Sequence, residues 1–137
     1  MVDANLDVSE ECVAAFNRMK MVKDLRYIVF KIEGQRTVVV EKTAPLSATY
    51  DNLIEDIPNE EPRFAVIDFE GTNSDGIALQ KLLFIHWCPD NAKVAPKMVY
   101  ASTKENLKRR FVGIFKEIQA SVKSELTHSS ISNDLRL

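Results

Sequence analysis

The residues best suited to chemistry in this chain are a histidine and a cysteine that alternate in His86-Trp87-Cys88. In a strand, alternate side chains lie on the same face, so the imidazole and the thiol are predicted to be neighbours. A zinc site needs three or four ligands in register, and a cysteine nucleophile needs a base that a third group orients. Asp90 follows nearby, but the sequence holds no second ligand cluster. We therefore predict neither a metal site nor a catalytic cysteine here.

Two further features have catalytic counterparts in other proteins: a carboxylate in an apolar segment and a glycine-rich loop. For Asp68, within the apolar segment, a hydrogen-bonded structural acid is preferred over a perturbed catalytic one. Residues 71–76 contain two glycines but lack the spacing of a phosphate-binding loop, and the next lysine is Lys81. We therefore predict that the protein is not an enzyme and uses no cofactor.

A stretch suited to binding spans residues 97–110. At about 100° per residue it separates into two helical faces. The apolar face contains Val99, Tyr100, Thr103, Leu107 and Phe111. The other face contains Lys97, Met98, Ala101, Lys104 and Lys108, with Val94 one turn earlier. The second face fits a helix that lies in another protein's groove, with methionine in the middle and charge around it. A solvated basic face with one exposed methionine explains the spacing equally well, so both interpretations stay open.

The helices around this stretch are indicated by capping residues. Ser9 is placed to cap a first helix with its hydroxyl, and Thr49 to cap a short second helix. The long helix begins after the break at Pro89. Residues 121–137 have helical potential, but their polar side chains argue against a long helix.

Strands alternate with these helices. They are predicted over residues 26–33, 37–42, 63–69, 79–87 and 112–120. Gly34 turns a hairpin, and residues 71–76 form a loop or hairpin tip. The nearly continuous apolar run of residues 79–87 predicts a strand buried on both faces. Helices interleaved with strands predict the α/β fold class.

The composition fits a folded domain. The chain has 137 residues, of which 45% are hydrophobic and 28% charged, which suits one domain with a core. No apolar run reaches the ~18 to 20 residues of a membrane span, and no secretory signal is recognised, so a cytoplasmic location is expected. Cys12 and Cys88 are expected to be small core residues. A net charge of −2 argues against nucleic-acid binding.

Five parts of the chain carry motifs that occur together in one family. They are VSEEC and FNRMK at residues 8–12 and 16–20, YIVFKI at 27–32, FAVIDFE at 64–70, WCPD at 87–90, and KMVYASTK at 97–104. The last two are similar to the patterns W-x-P-D and S-K-M-(I/V/M)-Y-(A/T)-S-(S/T)-K-(D/E). In this order, over residues 8–120, the chain resembles the actin-depolymerising factor/cofilin family.

The resemblance implies a fold and a function. The fold is a single actin-depolymerising-factor homology domain over residues 1–137, with a mixed, mostly antiparallel sheet of five to six strands sandwiched between helices. The function is binding of actin monomers and promotion of filament disassembly by a monomeric protein of the actin cytoskeleton. In this family the N-terminal segment and the long helix enter a cleft of the actin monomer. The matching positions are Ala4, Asn5, Leu6, Lys97, Met98, Lys104, Lys108 and Arg109.

The resemblance also implies a second surface, which binds filaments through a basic hairpin and the last helix. Lys81 and Arg136 match its basic positions. Leu79 replaces a neighbouring basic residue. Asn133 and Asp134 stand where the family often has an acid followed by an arginine. We therefore predict weakened filament binding and severing.

Regulation is expected to follow the family in one respect and depart from it in another. The basic cluster implies phosphoinositide binding that competes with actin. Its members are Lys104, Lys108, Arg109 and Arg110. Many members have a serine at the position of Ala4, and phosphorylation of that serine inactivates them. Because alanine cannot be phosphorylated, we do not expect this form of regulation here. Ala95 replaces a basic residue just before the long-helix motif, which removes one expected monomer contact.

Two alternatives remain beside this interpretation. A module of the same fold could bind only filaments or the branched-filament nucleation complex. A small enzyme acting on a phosphorylated metabolite could use the basic helix as an anion site. The enzyme needs a concave pocket beside the basic face, whereas a groove-binding helix protrudes.

Overall fold

Six strands form one mixed sheet in the computed structural model, which describes residues 7–135. The strands are β1 (Asp7–Val8), β2 (Leu25–Glu33), β3 (Thr37–Pro45), β4 (Arg63–Thr72), β5 (Ala78–Trp87) and β6 (Lys116–Ala120). Their order is β1-β3-β2-β4-β5-β6. The central pairs are antiparallel, and the outer pairs, β1 with β3 and β5 with β6, are parallel. The predicted mixed, mostly antiparallel sheet is confirmed.

Helices cover both faces of this sheet. They are α1 (Glu10–Met21), α2 (Tyr50–Asp56), α3 (Val94–Arg109) and α4 (His128–Leu135), with a 3-10 turn at Lys123–Leu126. One core cluster joins α1 and α3 to the sheet, and another joins α2, the 3-10 turn and α4 to its opposite face. The double cover explains why Tyr27 and Val29 are buried along with Ile28 and Phe30, their neighbours on the other face of β2.

The strand β5 departs from the prediction that it is buried on both faces. Residues 83–87 are buried, but Ala78–Leu82 are exposed or half-buried. The reason is topological. The first half of β5 pairs with β4 beyond Ile67, where β2 ends its pairing with β4, and β6 pairs only from Leu83 onward. The two strands therefore leave the sheet as a two-stranded ribbon with a turn at its tip.

Of the two predicted helix caps, the one at Thr49 forms and the one at Ser9 does not. Thr49 accepts a hydrogen bond from the backbone N–H of Asn52, whose side chain accepts one from the N–H of Thr49, so the predicted cap is confirmed. Ser9 does occupy the N-cap of α1, but its hydroxyl makes no cap hydrogen bond. The prediction of hydroxyl capping is wrong because that oxygen lies 3.4 Å from Cys12 Sγ instead.

Two other boundaries follow from backbone chemistry. Pro96 is the third residue of α3, within the first turn, where a backbone N–H has no partner inside the helix. The last strand begins only at Lys116, because Gly113, with φ at 110°, turns the chain first. After β6, a 3-10 turn and an eight-residue helix complete the described chain, so the doubt about a long terminal helix is confirmed.

Candidate functional site

The outer face of α3 is a ridge of exposed side chains on the surface of the domain. Val94 and Met98 are 71% and 66% exposed, and they lie one turn apart. The exposed ridge continues along the helix through Ala101, Ser102, Glu105 and Arg109. An exposed methionine beside an exposed valine gives this end of the ridge an adaptable apolar surface.

The opposite face of α3 anchors the helix. Tyr100, Thr103 and Leu107 are buried, as the helical spacing predicts, and Val99 is half-buried. The Tyr100 hydroxyl accepts a hydrogen bond of 2.9 Å from the backbone N–H of Ile32 on β2. The ridge is therefore carried by a helix that is fixed to the sheet.

Lys97 lies beside the ridge and is held by the chain that precedes it. Its ammonium nitrogen donates a hydrogen bond of 2.8 Å to the backbone carbonyl of Asp90. This contact fixes the side chain against the start of α3 and leaves its positive charge without a carboxylate partner among residues 7–135.

Lys104 and Lys108 are joined to an acid that lies on another element. Each ammonium nitrogen is 2.8 Å from a different oxygen of Glu117, on β6. Burial alone raises the pKa of the Glu117 carboxyl, but hydrogen bonds from both lysines outweigh it and bring the pKa below its usual value. The pKa of Lys108 rises, chiefly because of its hydrogen bond to Glu117. The two lysines thus bridge α3 to the sheet and are partly neutralised.

The other cations of the cluster are free of such pairing. Arg109 and Arg110 are exposed at the end of α3 and form no ion pair with any acid in the described part of the chain. The basic cluster predicted as one surface therefore divides into two paired lysines and two unpaired arginines.

The elements predicted to bind filaments lie side by side. His128 of α4 has its Nε2 2.7 Å from the Glu70 carbonyl oxygen, and its ring stacks on Phe69 at 4.7 Å between centroids. Leu79 of the ribbon and Ser132 of α4 line one open depression of about 730 Å³. The structure therefore brings Leu79 and α4 to one surface. Lys81 lies on the same ribbon, 4.6 Å from the centre of the Phe115 ring.

Four predicted site residues fall outside the described residues. They are Ala4, Asn5, Leu6 and Arg136. The neighbouring tail residues Asn133 and Asp134 are exposed, and the Asp134 backbone carbonyl accepts a hydrogen bond of 3.0 Å from Lys116.

Of the two residues considered first for chemistry, His86 is part of the core and Cys88 is half-buried. The prediction of a core cysteine is confirmed for Cys12 and wrong for Cys88. His86 is 3% exposed, and neither ring nitrogen has a hydrogen-bond partner within residues 7–135. Burial lowers the pKa of its imidazole, and the charge of Lys104 lowers it further. Among the described residues, no group of three or more histidine, cysteine, aspartate or glutamate side chains is placed to hold a metal ion.

A cavity of about 330 Å³ beside the first turns of α3 tests the enzyme alternative. It is lined by Val99, Tyr100 and Arg63 together with the β2–β3 hairpin, and none of the basic-cluster residues lines it. The Arg63 guanidinium already pairs with Glu41 and Glu61, at 2.9 and 3.2 Å. The enzyme alternative needs a pocket beside the basic face, and this cavity lies away from the basic cluster of α3.

The chain is similar to known proteins over almost its whole length. A family model described as "Cofilin/tropomyosin-type actin-binding protein" matches residues 5–136. The chain belongs to this family. It is 38% identical over 128 residues to the cofilin of Schizosaccharomyces pombe, covering 93% of each chain. It is 40% identical over 124 residues to the actophorin of Entamoeba histolytica, covering 90% of this chain and 89% of the other.

Solved structures of cofilin-family proteins have the same fold. A crystal structure of Streptomyces griseoflavus cofilin gives a TM-score of 0.87 at 36% identity, covering 94% of this chain and 96% of the other. Plasmodium berghei actin depolymerization factor 2 gives 0.87 at 29% identity and covers 99% of both chains. In this cofilin-family chain, no helix of residues 7–135 is both long and apolar enough to cross a bilayer.

Glu117 is a residue of the site in this cofilin-family chain that was not predicted from the sequence. This acid lies on a different element from the two lysines that it binds, so helical spacing gives no sign of it. The sequence offered only a weak indication of this role, because Glu117 is one acid near the start of a strand whose sequence pattern is itself weak.

Proposed function

We propose that this protein binds actin monomers through the exposed ridge of α3 and promotes the disassembly of actin filaments. The observation that carries the proposal is Met98, 66% exposed on a helix that is fixed to the sheet by Tyr100. The names of the relatives support the partner, because they are cofilin, actophorin and actin-depolymerizing factor. The protein works by binding, in the cytoplasm and as a monomer.

Apolar contact and charge have separate roles in this proposal. Met98 and Val94 enter an actin groove and supply the apolar contact. Lys97 lies beside them and is pre-ordered by Asp90, so binding costs less side-chain entropy. Arg109, further along the ridge, contacts acidic groups at the rim, where each such contact is worth roughly 0.5–2 kcal/mol depending on desolvation.

Lys104 and Lys108 are less available for binding actin than their positions on the helix suggest, because both already pair with Glu117. An acidic group on actin has to compete with Glu117, which holds both ammonium groups at 2.8 Å. We therefore assign these lysines mainly to orienting α3 and to the long-range field of the face. By resemblance, Ala4, Asn5 and Leu6 complete the monomer surface.

Filament binding and severing are proposed to be weak. Leu79 and Asp134 support this, since an apolar and an acidic side chain stand where the family uses basic ones. Lys81 and Arg136 remain as basic contacts.

The deciding experiment is co-sedimentation of the purified protein with polymerised actin, with both proteins measured in pellet and supernatant. We expect actin to move to the supernatant while little of the protein pellets. High occupancy of the pelleted filaments would contradict the weak filament surface. No change in either fraction would contradict the actin partner itself.

The arginines support a second binding activity, towards phosphoinositide headgroups. Arg109 and Arg110 are exposed without an acidic partner among the described residues, and Lys104 and Lys108 lie on the same helix. Because this patch overlaps the monomer surface, such lipids should compete with actin. Liposomes that contain them should relieve monomer binding, and failure to do so would remove this activity.

A further inference from the structure

A cavity of about 250 Å³ opens between the C-terminal end of α1 and the base of the β4–β5 ribbon. Lys20 and Lys23 line it from the α1 side, and Asp68, Gln80 and Lys81 line it from the ribbon. Neither the ridge residues Val94 and Met98 nor the basic cluster of α3 lines this cavity, so it is separate from the proposed monomer-binding ridge. It shares Lys81 with the proposed filament surface.

The carboxyl of Asp68 is buried but incompletely paired. The residue is 2% exposed, and its Oδ2 accepts a hydrogen bond of 2.6 Å from Gln80 Nε2. Its Oδ1 is buried and has no partner within residues 7–135. The neighbouring Arg26 donates to the backbone carbonyl of Asp68 at 2.8 Å and pairs with Glu70. A buried acceptor without a partner is destabilising, so this oxygen is suited to a donor from a ligand.

The three lysines of the cavity make no close ion pair among the described residues, although the charge of Lys23 acts on the Asp68 carboxyl. None of Lys20, Lys23 and Lys81 forms an ion pair with an acid in the described chain. Lys20 donates to the backbone carbonyl of Val112 at 2.8 Å. Lys23 has a left-handed backbone, with φ at 61°, which is uncommon for a residue with a side chain. Together these side chains make the cavity wall positive.

We propose that this cavity binds a small soluble phosphate ester that carries a hydroxyl group beside its phosphate. Lysine ammonium groups bind phosphate as point charges, and three of them suit a doubly charged group. The hydroxyl would donate to Asp68 Oδ1, which has no hydrogen-bond partner within residues 7–135. The volume is below that of a site for a drug-sized molecule, so the ligand is a compact ester.

The test is a titration of the ¹⁵N-labelled full-length protein with glycerol 3-phosphate, followed by amide chemical shifts. Saturable shifts are expected at Lys20, Lys23, Gln80 and Lys81. Methyl phosphate, which lacks the free hydroxyl, should bind about tenfold more weakly. Glycerol, which lacks the phosphate, should cause no shifts at these amides.

Two variants with the same charge change localise the site. Lys23→Gly removes one ammonium group at a position whose φ glycine adopts readily, and it should weaken binding about tenfold. Lys31→Ala removes a lysine that lines a different cavity and should leave the Kd unchanged. Equal loss in both variants would show attraction by net charge and would overturn the proposal.

A third variant tests the role of the buried acid. Asp68→Asn should reduce the preference for glycerol 3-phosphate over methyl phosphate, because its oxygen retains the Gln80 bond and its amide replaces the open acceptor. An unchanged preference would overturn this part. Absence of saturable shifts at about 10 mM ester would overturn the site. The proposal would also be overturned if the protein bound phosphatidylglycerol vesicles but not the soluble ester, and if Lys23→Gly weakened that vesicle binding.

Discussion

Lys104 Nζ lies 2.8 Å from Glu117 Oε2, so the long helix is tied to the last strand by an ion pair that is about four-fifths buried on both sides. Lys108 reaches the other oxygen of the same carboxylate at 2.8 Å. Glu117 thus restrains two cations of the proposed actin-binding face at the same time.

Replacing that acid should raise affinity for an acidic partner while lowering stability. Glu117→Gln removes the charge that neutralises Lys104 and Lys108, so we expect a two- to fivefold tighter Kd for actin monomers at low salt, roughly 0.4–1 kcal/mol. The free energy of unfolding should fall by about 1–2 kcal/mol. Fluorescence titration and urea denaturation measure the two effects. Glu105→Gln, at an exposed acid 3.6 Å from Lys108, is the control and should change both values less.

The apolar part of the ridge should matter for binding and not for folding. Lys97→Ala combined with Met98→Ala should weaken monomer binding by about 1–3 kcal/mol, because it removes the apolar contact and a pre-ordered cation. The thermal transition should shift little, since Met98 is mostly exposed. Met21→Ala, at a methionine that is 76% exposed on α1, is the matched control and should bind normally. A lost thermal transition in the double variant would place these residues in the core.

Stability should fall in mild acid because of His86. Its pKa is lowered in the folded protein by burial, so the unfolded state binds more protons below the ordinary value of 6.5. This stability is fully present above pH 6.5 and is lost as the pH falls towards the folded pKa of His86. His86→Leu should remove most of this slope in urea denaturation at a series of pH values. A slope that persists in the variant would contradict this assignment.

Filament binding should increase when basic residues are introduced at the two positions where this chain lacks them. Leu79→Arg combined with Asp134→Arg places two cations on the ribbon and the last helix, which the His128–Glu70 contact holds together. We expect severalfold more protein in the pellet with polymerised actin, and the gain should shrink at high salt. Asn59→Arg with Glu60→Arg makes the same change of charge at exposed positions before β4, and neither position lines the depression between the ribbon and α4. An equal gain in that control would indicate nonspecific attraction.

Features that depend on near neighbours in the chain could be predicted from the sequence. The cap at Thr49 rests on a partner three residues away, and the exposure of Met98 follows from helical spacing. The buried half of β5 followed from its apolar run, whereas its exposed half depends on where β2 and β6 stop pairing. The restraint by Glu117 depends on strand placement, which spacing within α3 does not encode.

The ribbon formed by β4 and β5 affects the tendency of the protein to self-associate. From Ala78 to Lys81, β5 pairs with β4 on one side, and β6 does not reach it on the other. Such an open strand edge is a template for edge-to-edge aggregation. Lys81 lies on this edge, and a lysine there opposes the addition of another strand. Lys81, which we propose as a contact for filaments and for a phosphate ester, thus also opposes self-association through this strand edge.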